Sequence, residues 1–297
     1  MDRYKLGTGT DKVRPLRSTG IMHSVYALGD HLVLRFPKDH PEAIADTYTG
    51  SVAAPVAHAA GVRTPALVVF DDERDIAPVP LSIFERAAGG PLIHLGPHPQ
   101  DLGQLWAELG RDLATLHREV TLCDDPYCRL ETHYFLSEHG PLVDELAAAG
   151  VIGKDAAAWL TAVLSRLQPA AQDRARYRRF VHGDAQPSNV LVVSGHYSAI
   201  IDWDDAGWSD PVVDLRYVPL RVADIVLEGY RSVMPIDGDS SAEHRLLWDK
   251  LIGSLLRLRR SPRPAGEAIT GTPSGPLLEV LAAAADGDIP IMRLLRR

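Results

Sequence analysis

Residues 180–202, FVHGDAQPSNVLVVSGHYSAIID, decide the fold of this chain. The two apolar segments VLVV and AII, with SGHY turning between them, predict a β-hairpin. Polar side chains flank the hairpin at both ends: Asp184 and Asn189 precede its first strand, and Asp202 follows its second. Because the two open ends of a hairpin lie side by side, Asn189 and Asp202 are predicted to converge, with Asp184 close to them.

The chemistry of these three side chains is that of a metal-assisted reaction. Carboxylates held close together repel one another unless a cation or a substrate proton lies between them. One carboxylate and one amide oxygen, with room for water and phosphate, suit magnesium, so Asn189 and Asp202 are candidate Mg²⁺ ligands. Softer metals would require more histidine or cysteine. Asp184, which is not needed as a ligand, could orient a hydroxyl group and accept its proton, as phosphoryl transfer requires.

The motifs resemble those of a known family. HGDAQPSN is similar to the H-x-D-x-x-x-x-N loop of the aminoglycoside phosphotransferase family, which is related to the eukaryotic-type protein kinases. IDWDDAG, which contains Asp202, is similar to the family's metal loop, in the place of the kinase D-F-G. The resemblance implies Asp184 as the catalytic residue, Asn189 and Asp202 as ligands of Mg²⁺, ATP or GTP as the phosphate donor, and a bilobal protein-kinase-like fold.

The resemblance extends to nucleotide contacts in the first part of the chain. STGIMHSVYALGDHLVLRFP is similar to the family's nucleotide-loop hairpin, in which Arg35 takes the place of the basic residue that pairs with phosphates. Lys38 is the competing candidate for that role. LSIFERAAGGPL is similar to the hinge whose backbone reads the adenine edge. The implied nucleotide-binding residues are Ser18, Thr19, Gly20, Arg35, Lys38, Phe84, Glu85, Arg86 and Ala87.

One departure from the family pattern concerns the acid that pairs with the basic residue. The family usually supplies a glutamate from the next helix, but this chain has Tyr-Thr-Gly-Ser at 48–51. Glu42 and Asp46 lie nearer the helix start, so either of them substitutes or Arg35 is held in another way. Arginine needs less support than lysine, because its guanidinium stays charged and binds phosphate bidentately.

Other polar residues of this region have more than one interpretation. His182 is expected to shape the loop and not to act as the base. Asp204 is either a further metal or substrate contact or part of a solvated turn. Asp210 and Asp214 are expected to cap a helix or brace the loops.

Two parts of the chain differ in periodicity, and we place their boundary after residue 86. Before it, strands are predicted at 22–28, 31–36, 66–70 and 81–86, and a helix at 41–61. Gly50 and Pro55 are expected to interrupt that helix, and Gly61 to end it.

After the glycine-rich segment AAGGPL, apolar residues recur at helical spacing. Helices are predicted at 101–120, 154–168, 244–260 and 276–287. Asp101 and Gln104 resemble a capping box at the start of the first of these helices. The class is therefore α+β, with a small β-rich N-terminal lobe, 1–86, and a larger, mostly helical C-terminal lobe, 87–297.

The composition is ordinary for a globular protein: 45% of the 297 residues are apolar and 24% are charged. A net charge of −8 disfavours a nucleic-acid partner, since phosphate binding requires a basic face. Cys123 and Cys128 are expected to be reduced thiols. The polar start lacks a signal-peptide pattern, and no segment has the roughly 18 apolar residues that cross a bilayer. We expect a cytoplasmic protein without a membrane partner; its oligomeric state stays open.

The resemblance implies transfer of a nucleotide γ-phosphate to a hydroxyl group of a small molecule. If the family role carries over, that molecule is an antibiotic and the effect is resistance. Acids and bases nearly balance over residues 169–260, so a polycationic acceptor is not required. A metabolic kinase of the choline, homoserine or fructosamine type is one alternative, and a nucleotide-binding module without catalysis is another.

Overall fold

The computed structural model describes residues 4, 6, 13–16, 22–95, 102–130, 136–234, 241–261, 273–286 and 288–295. Ser18, Thr19, Gly20 and Asp101 lie outside these ranges. The strands are β1 (Val13–Pro15), β2 (His23–Leu28), β3 (Leu32–Pro37), β4 (Leu67–Asp71), β5 (Leu81–Glu85), β6 (Gly90–Pro91), β7 (Arg179–Val181), β8 (Val190–Val193), β9 (His196–Ile200) and β10 (Gly207–Ser209). The α-helices are α1 (Pro41–Ala59), α2 (Gly103–Glu119), α3 (Gly140–Ala148), α4 (Lys154–Gln172), α5 (Ala223–Arg231), α6 (Ala242–Leu258) and α7 (Gly275–Ala285).

An antiparallel sheet in the order β1-β2-β3-β5-β4 forms the N-terminal part. The predicted β2–β3 hairpin is confirmed, and Gly29 in its turn has a φ of 60°, which glycine adopts without strain. Val25 pairs with Arg35 in this hairpin. His23 and Arg35 therefore project from the same face of the sheet as diagonal neighbours.

Helix α1 is continuous, so the predicted interruptions at Gly50 and Pro55 are wrong. Ala53, Ala54 and Ala57 in its second half are completely buried in the main core. Burial of this face outweighs the poor helix propensity of the two residues, because tertiary packing supplies most helical stability. The predicted end of the helix is confirmed: Gly61 follows it with a φ of 87°.

The rest of the chain is mostly helical. The predicted helices at 154–168, 244–260 and 276–287 are confirmed as α4, α6 and α7. The nine-residue helices α3 and α5 were not predicted. Helices α2 and α5 cross so closely that a methyl group on Gly110 or Gly229 would overlap the backbone of the other helix.

The start of α2 differs from the predicted capping box. Its N-cap is Leu102, and no side chain caps it. With Leu102 as the N-cap, Gln104 is the second helical residue and not the third, and its Nε2–H donates to Glu108 at 3.0 Å within the same helix.

Two small antiparallel sheets position residues 180–202: β7 pairs with β10, and β8 lies between β6 and β9. The predicted β8–β9 hairpin is confirmed, with a tighter turn than SGHY. Ser194 and Gly195 alone connect the strands, with φ values of 51° and 81°, as a two-residue hairpin turn requires. Within the described ranges, every helix is too short or too polar to span a bilayer.

Candidate active site

The hairpin brings residues 189 and 202 to the same end of the small sheet. Val190 pairs with Ile200, and the N–H of Ile201 donates to the carbonyl of Asn189 at 2.9 Å. Asn189 and Asp202 therefore flank the last hydrogen bond between the two segments, as predicted.

Asp184 is tied directly to Asn189. The side-chain amide of Asn189 donates to the backbone carbonyl and to Oδ2 of Asp184, both at 2.9 Å, and Gln186 donates to the same oxygen at 2.7 Å. Because the nitrogen of the Asn189 amide is engaged, its Oδ1 is the atom available to a cation. Burial raises the pKa of Asp184, and the charge of Asp205 raises it further. A raised pKa favours a carboxylate that has to accept a proton.

The loop that carries Asp184 is held by the completely buried Asp214. Asp214 accepts the backbone N–H groups of His182 and Gly183, each at 2.8 Å, and the Nε2–H of His117 at 3.0 Å. Burial raises the pKa of Asp214, but these hydrogen bonds and the nearby histidines outweigh it and the net shift is downward. Asp214 is therefore a brace, as the sequence indicated.

His182 connects this loop to the hairpin. Its Nδ1 accepts the N–H of Asp184 at 3.2 Å, which leaves Nε2–H to donate to the carbonyl of Ile201 at 3.1 Å. The ring is fully buried and packs against Trp203, with 4.5 Å between centroids. Both ring nitrogens are occupied, so His182 shapes the loop and is unavailable as a base.

Asp210 also stabilises the loops of the site. It caps the 3₁₀ turn that follows it by accepting the N–H of Val212, and it binds the buried guanidinium of Arg245 with an Nε–Oδ2 distance of 2.7 Å. This ion pair joins the segment after β10 to α6.

Arg35 reaches from β3 to the metal loop. Its Nη2 lies 2.7 Å from Oδ1 of Asp202 and 2.7 Å from Oδ2 of Asp204. Burial lowers the pKa of Arg35, but the two carboxylates outweigh this effect and raise it. Asp202 has left-handed backbone angles, φ 72° and ψ 72°, which are uncommon outside glycine and costly by about 1–2 kcal/mol. Such strain is typical of a functional position.

The two carboxylates on Arg35 differ in their protonation behaviour. Burial raises the pKa of Asp202, but Arg35 and the nearby histidines shift it below its ordinary value. The pKa of Asp204 is raised, because burial and the charge of Asp202 together exceed the effect of Arg35. Asp202 is the more exposed of the two and is the one that keeps its charge most readily.

His23 and Thr47 link Arg35 to helix α1. Nδ1 of His23 accepts from Arg35 at 3.2 Å, its Nε2–H donates to Thr47 Oγ1 at 2.9 Å, and Thr47 donates to the carbonyl of Ala43. Burial and then Arg35 lower the pKa of His23 to about 4, so it is neutral at neutral pH. Sequence reasoning missed His23 and Thr47; the one signal was that the helix has no acid at residues 48–51.

Carboxylates crowd the cleft, and the crowding shows in their pKa values. Burial raises the pKa of Asp46 to about 6, with Asp205 and Asp202 as the next causes. In the described part of the chain, no three His, Cys, Asp or Glu side chains could hold a metal ion by themselves. An amide oxygen of Asn189 and a carboxylate of Asp202, completed by water and phosphate, are nevertheless a donor set that fits Mg²⁺.

The residues predicted to bind the nucleotide differ in their surroundings. Lys38 is exposed, whereas Arg35 is buried among the carboxylates and lies 5.9 Å from the ring centroid of Phe84. In the predicted hinge, Glu85 donates its N–H to Ala66 and Arg86 donates its N–H to His31. These two amides are therefore occupied within the sheet.

Two features define a phosphotransferase of the protein-kinase-like fold. One is the small antiparallel sheet that carries a basic residue on β3. The other is the helical part, whose hairpin carries an aspartate, an asparagine and a second aspartate. A model of the phosphotransferase enzyme family (APH) matches residues 13–225, well over half of the chain. The chain belongs to this family and is a small-molecule kinase with a hydroxyl acceptor. A comparison with curated proteins gives no match.

Solved structures share the fold at low identity. An aminoglycoside phosphotransferase in complex with GDP and kanamycin is 18% identical, with a TM-score of 0.60 over 98% of this chain and 93% of that chain. A macrolide 2′-phosphotransferase from Brachybacterium faecium is 20% identical, with a TM-score of 0.55 over 87% of each chain. A choline/ethanolamine kinase family protein from Mesorhizobium loti is 17% identical, with a TM-score of 0.57 over 95% of this chain and 92% of that chain.

Proposed function

We propose that this protein transfers the γ-phosphate of ATP or GTP to a hydroxyl group of an antibiotic, in a magnesium-dependent reaction in the cytoplasm, where these nucleotides are supplied. The observation that carries the proposal is the contact between Asp184 and Asn189 at the hairpin end that also bears Asp202. It holds the half-buried carboxylate of Asp184 on one candidate metal ligand, at the hairpin end that bears the other, as phosphoryl transfer to a hydroxyl requires.

In this mechanism, Asp184 orients the acceptor hydroxyl group and takes its proton as the oxygen–phosphorus bond forms. Asn189 Oδ1 and Asp202 would hold Mg²⁺, which would neutralise charge on the phosphates. Arg35, already buried beside Asp202, contributes the fixed positive charge on the nucleotide side. The hydroxyl proton moves to Asp184, and the nucleoside diphosphate leaves.

The nucleotide lies between the two lobes, 1–86 and 87–297, in this proposal. Ser18, Thr19 and Gly20, which the sequence assigns to the phosphates, contact them in this proposal, with Lys38 at the edge of the site. The base borders the segment from Phe84 to Ala87. Since the amides of Glu85 and Arg86 are occupied, recognition of the base edge falls to Ala87 and to the carbonyl groups of the segment.

The charges beside Asp184 favour an acceptor that is not a polycation. Arg216 donates a hydrogen bond of 2.8 Å to the carbonyl of Gly183, next to Asp184. The pKa of the nearby Tyr217 is raised, first by burial; Arg216 and Arg257 lower it, and Asp184 and Asp205 raise it. Arg216, beside the proposed base, would repel a polyamine. A neutral or singly charged antibiotic such as a macrolide suits this site better than an aminoglycoside.

A metabolic kinase is the second candidate. The likeness to a choline/ethanolamine kinase family protein covers 95% of this chain, and Arg216 also suits an acceptor that bears an anionic group. The two candidates differ in the acceptor and share the transfer step.

A screen of acceptors tests both candidates. Purified protein is incubated with Mg²⁺, ATP or GTP, and a panel of macrolides, aminoglycosides, other hydroxyl-bearing antibiotics, choline, homoserine and sugars, and products are detected by the added mass of one phosphate. Asp184→Asn is the matched inactive control. Phosphorylation of a drug, together with resistance of a host that carries the gene, supports the first candidate. Turnover of a metabolite and of no drug overturns it in favour of the second.

A further inference from the structure

We propose that Asp204 is the positioning residue for Arg35, in the role that a helix glutamate has in the family pattern, and that Gly50 of α1 is the residue that admits it. This inference deepens the proposed function, because it concerns the nucleotide side of the same site. It answers the question raised by the absence of an acid at residues 48–51 of the helix.

The acids of α1 do not reach Arg35. Its ion pairs within 4.0 Å are made with Asp202 and Asp204, both of the metal loop, and neither Glu42 nor Asp46 forms one. In the proposed mechanism Asp202 is committed to the metal. Asp204 is then the carboxylate that remains with Arg35 through the reaction.

The two carboxyl groups also differ in burial, and the more buried one is Asp204. The side chain of Asp202 is 38% exposed, whereas that of Asp204 is 10% exposed and lies against Gly50 of α1. A buried partner holds a guanidinium in one geometry better than an exposed partner, because solvent screens it less.

Gly50 makes the space for Asp204. A methyl group at position 50 would overlap Oδ1 of Asp204, and this oxygen is buried without a hydrogen-bond partner. A buried oxygen without a hydrogen bond costs stability, and the contact of the other oxygen, Oδ2, with Arg35 offsets this cost. The glycine that appeared only to weaken the helix is thus required for the approach of the metal loop.

The same face of α1 supports Arg35 a second time. Thr47 lies three residues before Gly50 on that face, and its hydroxyl oxygen accepts from the neutral His23. His23 in turn accepts from Arg35. The helix therefore contributes a glycine and a threonine where the family pattern has a glutamate, and the carboxyl group that contacts Arg35 comes from the loop.

The test measures nucleotide binding without any acceptor, by calorimetry with a non-hydrolysable ATP analogue and Mg²⁺. Asp204→Asn is expected to weaken binding about tenfold while the melting temperature stays near that of the wild type, since an amide oxygen is a weaker acceptor for Arg35 than a carboxyl group. Asp46→Asn and Glu42→Gln test the helix acids and are expected to leave binding unchanged.

A mutant cycle tests the role of Gly50. Gly50→Ala is expected to weaken binding in the wild type, because the methyl group displaces Asp204, and to have no further effect in the Asp204→Gly background. In that background Gly50→Glu should recover binding by returning an acid to the helix, whereas Gly50→Gln should not.

Unchanged affinity in Asp204→Asn, a larger loss in Asp46→Asn, or additive effects of the Gly50 and Asp204 substitutions would each overturn the inference. If Asp204→Gly does not fold, the Asp204→Asn and Gly50→Ala comparison still decides. Because no acceptor is present, failure to find a phosphorylated product would contradict the proposed function and leave this result standing.

Discussion

The side-chain amide of Asn189 donates a 2.9 Å hydrogen bond to the carboxylate of Asp184. This hydrogen bond joins the proposed base to a proposed metal ligand, and both residues belong to the loop between β7 and β8. A change in one of them is therefore expected to disturb the other.

Replacing the carboxylate should stop transfer without preventing nucleotide binding. Asp184→Asn removes the proton acceptor and is expected to lower kcat by about 10²–10⁴-fold, the usual contribution of a general base. The KM for the nucleotide should change little. Steady-state kinetics with the acceptor found in the screen measure both. Asp144→Asn, at an exposed position of α3, is the control and should behave like wild type. Equal activity of Asp184→Asn and wild type would remove Asp184 from the mechanism.

Removing the amide should raise the requirement for magnesium. Asn189→Ala deletes both the candidate ligand oxygen and the hydrogen bond to Asp184, so the Mg²⁺ concentration for half-maximal activity is expected to rise about 10–100-fold. A magnesium titration at saturating nucleotide measures it. Ser188→Ala, which loses only a 3.4 Å contact to Asn189, serves as the matched control. An unchanged titration in Asn189→Ala would contradict its role as a ligand.

Acid should destabilise the protein through His23. The pKa of His23 is about 4 in the folded protein and 6.5 in its ordinary state, so between these values the unfolded chain binds the additional proton. Stability is complete above about pH 6.5 and is lost as the pH falls toward 4, by about 3 kcal/mol from this group. Urea unfolding at several pH values should show this slope.

Variants of histidine isolate that contribution. His23→Gln cannot titrate and is expected to have a shallower dependence of unfolding free energy on pH. His31→Gln, at an exposed position of the β2–β3 turn, should keep the slope of the wild type. Identical slopes in the two variants would show that His23 is not the group responsible.

Adding a methyl group at the contact between α2 and α5 should destabilise the protein. Gly110→Ala would place a methyl group against the carbonyl of Val226, and since backbone cannot give way as a side chain can, we expect a loss of about 1–3 kcal/mol. Gly253→Ala in α6 meets no atom within 4 Å and should stabilise the protein by about 0.5–1 kcal/mol. Chemical denaturation measures both, and a neutral Gly110→Ala would disprove the close crossing.

Local pattern was enough for several parts of the fold. The β2–β3 and β8–β9 hairpins, the end of α1 at Gly61 and the helices α4, α6 and α7 were predicted, because turn chemistry and apolar spacing act over a few residues. The short helices α3 and α5 were missed, since nine residues contain too few turns for a clear period.

The partners of Arg35 could not be predicted from local sequence patterns. Asp202 and Asp204 are more than 160 residues away in sequence, and nothing local distinguishes a buried partner from a solvated turn in WDDAG. Gly50 was interpreted as a weak point of the helix. Its role depends on which side chain packs against it, and that is a property of the assembled protein.

The sequence by itself determined the chemistry: an aspartate and an asparagine five residues apart before a hairpin, and a second aspartate after it, could only converge, because a hairpin returns to its own start. Tertiary structure alone decided how the arginine is held. The sheet, the helix and the metal loop meet at Arg35 from three distant parts of the chain, and a hydrogen bond or an ion pair depends on distance in space, which local spacing does not encode.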